Sequence, residues 1–215
     1  MNFIEIQMEQ WARKEHYEHY INNVRCSYSI TVDIDITNLQ IRLKERGLKA
    51  YPAQIFMLST VVNQLPEFRM TVNAEQRLGY WEIIDPVYTV LNSDTKTFST
   101  IWTKHTHCFD TFYRAYLQNT AQYANGKLFP QEHVAPNTFT ISSVPWLDFS
   151  AFNINVFSDG KYLLPIFTIG KYKEENNKIK MPLAIQCHHA VCDGYHVGKF
   201  VEILQQMATD CDEWL

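Results

Sequence analysis

From Tyr28 to Ile36 the chain reads YSITVDIDI, apolar and polar residues changing places at every step. Successive side chains of an extended strand point to opposite faces, so Tyr28, Ile30, Val32, Ile34 and Ile36 form one apolar edge. A strand of this kind needs a sheet to join and a cover for one face. The covers are visible as helical periodicities. Val197, Phe200, Val201, Leu204, Met207 and Ala208 keep an i, i+3, i+4, i+7 stripe beyond Gly194, and Phe109, Phe112, Tyr113, Tyr116, Leu117, Ala121 and Ala124 do the same over 110–124, with Asp110 as the expected cap. Pro52 suits the first turn of a mostly apolar helix running to about Gln64, and Thr37 or Asn38 is placed to cap a short helix that Gly47 ends. Further strands are expected over 68–72, 78–84, 87–91, 97–103, 137–143, 152–157, 163–172 and 178–188, the last two joined by the polar turn at 174–177. Interspersed strands and helices with no Pro/Gly/Ser-rich linker predict one α+β domain over residues 1–215, a two-layer sandwich of a mixed, largely antiparallel sheet covered by helices.

Composition removes several function classes. The chain has 215 residues, and 46% hydrophobic content at that length is enough for a real core. Only 7 glycines occur, with no GxxxxGK[ST] or GxGxxG, so the usual glycine-rich phosphate cradles are missing. A net charge of -4 with no basic run argues against nucleic-acid binding, because phosphates must be neutralised by clustered Lys and Arg. The longest apolar stretch, Ile55 to Val62, is too short to cross a bilayer, and the charged first twenty residues do not resemble a signal peptide. Five cysteines, an odd number scattered along the chain, fit free thiols in a reducing cytoplasm.

The chemistry concentrates in Ile185-Gln-Cys-His-His-Ala-Val-Cys-Asp-Gly194, between a strand and a helix. By alternation, Met181, Leu183, Ile185, Cys187 and His189 share one face and His188 lies on the other. An imidazole among apolar neighbours is kept neutral, as a general base requires. The same histidine also fits a hydrogen-bonded core residue, and Asp193 four positions on fits either a triad carboxylate or the partner in an ion pair. Cys187, His188, His189 and Cys192, or His105, His107 and Cys108, match no standard zinc spacing, so no metal is expected.

His188-His-Ala-Val-Cys-Asp-Gly194 is an HHxxxDG signature, and its setting resembles the chloramphenicol acetyltransferases of the trimeric type. Other segments resemble that family in the same order: Trp11-Ala-Arg-Lys-Glu-His-Tyr17, Tyr51-Pro52, Glu67-Phe-Arg69, Leu78-Gly-Tyr-Trp81, Tyr88-Thr-Val90, Thr97-Phe-Ser99, Ser142-Ser-Val-Pro-Trp146, Phe152-Asn-Ile-Asn155 and Leu164-Pro-Ile-Phe-Thr-Ile-Gly-Lys-Tyr172. HHxxxDG alone is shared with dihydrolipoamide acyltransferase cores, carnitine acyltransferases and peptide-synthetase condensation domains; the flanking segments narrow the resemblance.

That resemblance implies a CoA-dependent acyltransferase fold and transfer of acetyl from acetyl-CoA to the 3-hydroxyl of chloramphenicol in a ternary complex, conferring antibiotic resistance. Acetyl-CoA is a co-substrate, and no permanently bound cofactor is implied. The implied base is His189, its tautomer fixed by its own backbone carbonyl. Asp193 and Arg13 are implied as a structural ion pair. Ser142 is implied as the oxyanion donor, with Ser143 the neighbouring alternative, and Thr168 as the holder of a nearby water. Tyr172 resembles an aromatic near the CoA adenine, and Tyr20, Tyr28, Phe98 and Ile154 fall where the family lines the drug pocket. Cys187 stands where valine is usual. The resemblance further implies a cytoplasmic homotrimer with sites between subunits, without nucleic-acid or membrane partners. Two other readings remain at this level: an acyltransferase for another acceptor such as dihydrolipoamide, which the missing lipoyl domain disfavours, and a non-catalytic binder of apolar ligands, which would need neither His189 nor Ser142.

Overall fold

The computed structural model describes residues 2–156 and 159–215. In chain order its elements are β1 (Phe3–Glu5), α1 (Lys14–Glu18), β2 (Ser27–Asp35), α2 (Thr37–Glu45), α3 (Ala50–Gln64), β3 (Met70–Val72), β4 (Leu78–Trp81), β5 (Asp85–Leu91), β6 (Phe98–Trp102), α4 (Phe109–Tyr123), β7 (Thr138–Val144), β8 (Ile166–Gly170), β9 (Lys173–Glu175), β10 (Lys178–His188) and α5 (Gly194–Thr209). Six strands form the main path of one sheet, in the order β2-β10-β8-β7-β5-β6, with β9 added to β10. β5, β7 and β8 run parallel to one another, and the remaining neighbours in that sheet are antiparallel. A small antiparallel sheet, β1-β4-β3, stands apart.

The alternation in β2 reports how the large sheet is covered. Ile101, Tyr88, Ile141, Phe167, Ile185 and Ile30 are opposite one another across six strands, and all but Ile30 are fully buried. On that face lies the core, where Phe200 of α5 packs on Phe167 and Phe68 with ring centroids 5.1 Å and 4.7 Å apart. Ten residues of α3 are buried, which is why its apolar residues circle the helix instead of forming a stripe. The opposite face carries a different row, Ser142, Thr168, Ala184 and Thr31, small or hydroxylated residues over which segment 150–155 lies.

Several boundaries differ from the sequence reading for physical reasons. Residues 152–156, expected in a strand over 152–157, are irregular, and 157 lies outside the described residues. The pattern Phe-Asn-Ile-Asn reports contact on one side, which a segment lying over a sheet face satisfies as well as a paired strand does. Residues 163–165 and 171–172 are not extended partners either, leaving β8 at Ile166–Gly170. Neither Thr37 nor Asn38 caps α2, whose N-cap is Ile36 without a side-chain bond; Asp35 Oδ1 accepts from Thr37 N–H at 3.2 Å and from its hydroxyl at 2.6 Å, and Thr37 Oγ1 in turn accepts from Ile179 N–H. Asp110 caps nothing, because α4 starts one residue earlier to bury Phe109.

Candidate active site

β10 places the motif. Its last residue, His188, is 3% exposed; Ala190 N–H donates to Nδ1 at 3.1 Å, so the ring proton is on Nε2, which donates to Gly160 O at 2.9 Å. Burial, with His189 adding a little, pulls the His188 pKa below its ordinary value. Both nitrogens of this histidine are therefore committed.

His189 starts the turn to α5, anchored by its N–H donating to Cys26 O at 2.8 Å. Its ring stacks on Tyr20, 4.1 Å away and 7° from parallel, and meets the edge of Tyr28 at 5.3 Å. Tyr20 belongs to a π-helical turn, His19–Val24, that widens the end of α1, a kind of irregularity common beside functional side chains. Burial pushes the Tyr28 hydroxyl far above its ordinary pKa, with Cys192 and Cys187 adding to it. His189 Nδ1 is buried and forms no hydrogen bond among the described residues. The bond expected to its own carbonyl is not made; that oxygen is turned to Arg13 Nη2, 3.4 Å away.

Arg13 thereby spans the turn. Its Nη1 also donates to Asp193 Oδ2 at 2.5 Å. Asp193 Oδ1 accepts from Tyr195 N–H at 3.1 Å, capping α5, while the Asp193 N–H donates to His196 Nδ1. Burial alone would raise the Asp193 pKa, but the hydrogen bond from Arg13 and the nearby His196 hold it below its ordinary value. Asp193 contacts neither ring nitrogen of His189. Replacing Asp193 by alanine removes the ion pair and the cap together, an expected loss of about 2–4 kcal/mol and about 5–15 °C in melting temperature. Asparagine still caps the helix, so Asp193→Asn should lose about 1 kcal/mol less in a thermal scan.

A second group lies at the other end of the sheet. The carboxyl ends of the parallel strands β5, β7 and β8, with the start of α3, enclose a cavity of about 1020 Å³ containing Ser142, Phe98 and Tyr172. Such crevices at strand ends are habitual ligand sites in parallel sheets. Tyr172, its hydroxyl raised by burial, accepts from Gln54 Nε2. Gln54, Lys96 and Lys171 line the same cavity and were not anticipated; a glutamine only 2% exposed within the apolar α3 was the available signal. Thr168 sits beside Ser142 in the sheet, and Thr168 and Ile154 share a crevice with Gln186.

Within one chain the two groups are separate. Thr168 is opposite Ala184, five residues before His189, and Ser142 is one strand further over. At about 3.4 Å per residue and about 4.8 Å per strand, Ser142 and His189 are roughly 20 Å apart. One chain presents two half-sites: an imidazole between tyrosines, and a hydroxyl in an apolar cavity flanked by lysines. Among the described residues, no three His, Cys, Asp or Glu side chains are grouped to hold a metal, and no helix is long and apolar enough to cross a membrane.

This arrangement of sheet, helices and histidine turn is an acetyltransferase fold. A solved structure of a chloramphenicol acetyltransferase superposes with a TM-score of 0.86 at 20% identity, covering 96% of this chain and 100% of that one. The dihydrolipoamide acetyltransferase of Azotobacter vinelandii gives a TM-score of 0.69 at 16% identity, over 98% of this chain and 92% of the other. The sequence comparison is more specific. The family profile described as chloramphenicol acetyltransferase matches residues 1–205. A chloramphenicol acetyltransferase of Bacillus pumilus is 53% identical over 96% of this chain and 94% of its own length, and one of Clostridium butyricum is 45% identical over 100% and 99%. The chain belongs to the chloramphenicol acetyltransferase family.

Proposed function

We propose that residues 1–215 act as one domain that moves the acetyl group of acetyl-CoA to the 3-hydroxyl of chloramphenicol in a ternary complex, and that the reaction takes place between copies of the chain. The observation that carries this reading is the division into half-sites. His189 of one copy removes the proton from the drug's hydroxyl as its oxygen attacks the thioester carbonyl lying beside Ser142 of another copy. The Ser142 hydroxyl donates to the oxyanion so formed. When the tetrahedral intermediate collapses, the C–S bond breaks and the imidazolium returns the proton to the departing CoA sulfur. No acyl-enzyme is required, since binding both substrates together supplies the proximity.

The cavity supports acetyl-CoA as co-substrate: Tyr172 offers an aromatic face, and Lys96 and Lys171 offer cations to a phosphorylated tail without a glycine-rich loop. Tyr20 and Tyr28 beside His189, Ile154, which lines a crevice with Tyr28, and Phe98 from the other group suit a nitrophenyl ring. Thr168, next to Ser142 in the sheet, is placed to hold a water near the intermediate. A homotrimer gives every copy both neighbours it needs, and Leu128, Phe129 and Val134, each more than 45% exposed, are apolar area that such assembly can cover. Acetyl-CoA supply places the reaction in the cytoplasm, where acetylating the drug would confer resistance.

The test is release of free CoA thiol from acetyl-CoA with and without chloramphenicol. Drug-dependent release at 1 s⁻¹ or faster, about the low end for ordinary enzymes, is expected. Thiol release that ignores the drug but responds to dihydrolipoamide would move the assignment to another acceptor.

A further inference from the structure

We propose that Gln186 is a positioning residue for the acceptor: its side-chain oxygen clasps the backbone at Ile154 and so fixes one wall of the drug pocket. The proposal rests on the acetyl-transfer reading above. Gln186 lies on β10 opposite Ser29 and Ile166, on the face away from the core, two residues before His188 and three before His189. Its Oε1 accepts from Ile154 N–H at 2.9 Å and is 3.5 Å from the Ser29 hydroxyl.

The clasp matters because little else holds this stretch. Residues 149–156 form neither strand nor helix, and among the described residues the bond to Gln186 is the one hydrogen bond they make. Beyond it the stretch has its side-chain packing alone: 152–154 over Thr168 and Ala184 of the sheet, the Phe149 and Phe152 rings with centroids 5.3 Å apart, and Phe149 over Gly170. Ile154 remains 37% exposed, an apolar side chain presented outward on a backbone that one acceptor atom orders. A wall ordered in advance spares the ligand the entropy of ordering it on binding. The reach also explains the residue type. Both donors meet a single oxygen at the end of a two-methylene stem; leucine keeps the volume without the oxygen, and glutamate keeps the oxygen at the same reach.

Intact Gln186→Leu and Gln186→Glu proteins are compared with the unsubstituted protein by steady-state kinetics and by hydrogen exchange at the Ile154 amide. Gln186→Leu should raise the KM for chloramphenicol about tenfold, equivalent to about 1.4 kcal/mol, while kcat and the KM for acetyl-CoA stay within about twofold. Ile154 exchange should quicken about tenfold. Gln186→Glu should return both readouts to within about threefold of the starting values. An unchanged chloramphenicol KM in Gln186→Leu, a parallel fall of all kinetic constants, unaltered Ile154 exchange, or a glutamate variant that behaves like leucine would each overturn the clasp. Failure of the unsubstituted protein to acetylate chloramphenicol would sink the function alone, and the exchange measurement would then decide the clasp.

Discussion

His189→Ala should lower kcat by about 10⁴-fold, the upper end of what a positioned general base supplies, and leave the KM for acetyl-CoA within about threefold. The size of the effect follows from the absence of a substitute nearby. His188, the adjacent imidazole, is buried and spends both nitrogens on Ala190 and Gly160. Tyr28 cannot become a phenolate, because burial drives its hydroxyl upward. Asp193 is occupied by Arg13 and the first turn of α5. The acetyl-CoA constant is spared because Tyr172, Lys96 and Lys171, the groups proposed to hold its tail, are left intact by the substitution. Thiol release measured with both substrates saturating gives the result directly; a variant retaining a tenth of the turnover would remove His189 from the role of base. His188→Ala should perturb the turn and Gly160, so its loss should appear in thermal stability as well as in rate, whereas His189→Ala should melt within about 2 °C of the unsubstituted protein.

The parts legible in the sequence are those that local period controls. The alternation in Tyr28–Ile36 and the stripe after Gly194 correspond to β2 and α5, and the apolar stretch after Pro52 lies in α3. The caps were less legible: Thr37 and Asn38 both suit a helix start, but the Thr37 hydroxyl is engaged by Asp35 and by the Ile179 amide, 142 residues away. Phe152–Asn155 misled because period 2 records a covered face and does not record who pairs with the backbone. Of the site, Arg13 and Asp193 meet as a pair although 180 residues apart, and the resemblance to a known family had linked them. Gln54 and Lys96 carried no motif, and Lys171 and Gln186 lie inside quoted segments that pointed to no role for them. Their places depend on which strands become neighbours, and a glutamine inside an apolar strand looks the same whether it clasps a loop or faces water.

Two inactive variants should restore one another. Ser142→Ala removes the proposed oxyanion donor and should cost about 10²–10³ in kcat, and His189→Ala should cost more. If each site takes its imidazole from one copy and its hydroxyl from another, a mixed assembly contains sites in which both contributors are intact. With equal amounts of the two chains mixed at random, the donor of the imidazole is intact half the time and the donor of the hydroxyl half the time, so turnover should return to about a quarter of the unsubstituted value. That is a gain of about 25- to 250-fold over Ser142→Ala and about 2,500-fold over His189→Ala. A site contained within one chain gives no such gain, because every chain in the mixture lacks one group. The separation of roughly 20 Å along and across the sheet makes the first outcome the expected one, since no side-chain rotation covers that distance. The mixture is made by joint unfolding and refolding, or by producing both chains together, and is compared with each variant treated identically. Recovery that requires mixing before refolding, and is absent when folded variants are merely combined, would locate the chemistry between copies; no recovery in a verified mixed oligomer would overturn a site shared between copies.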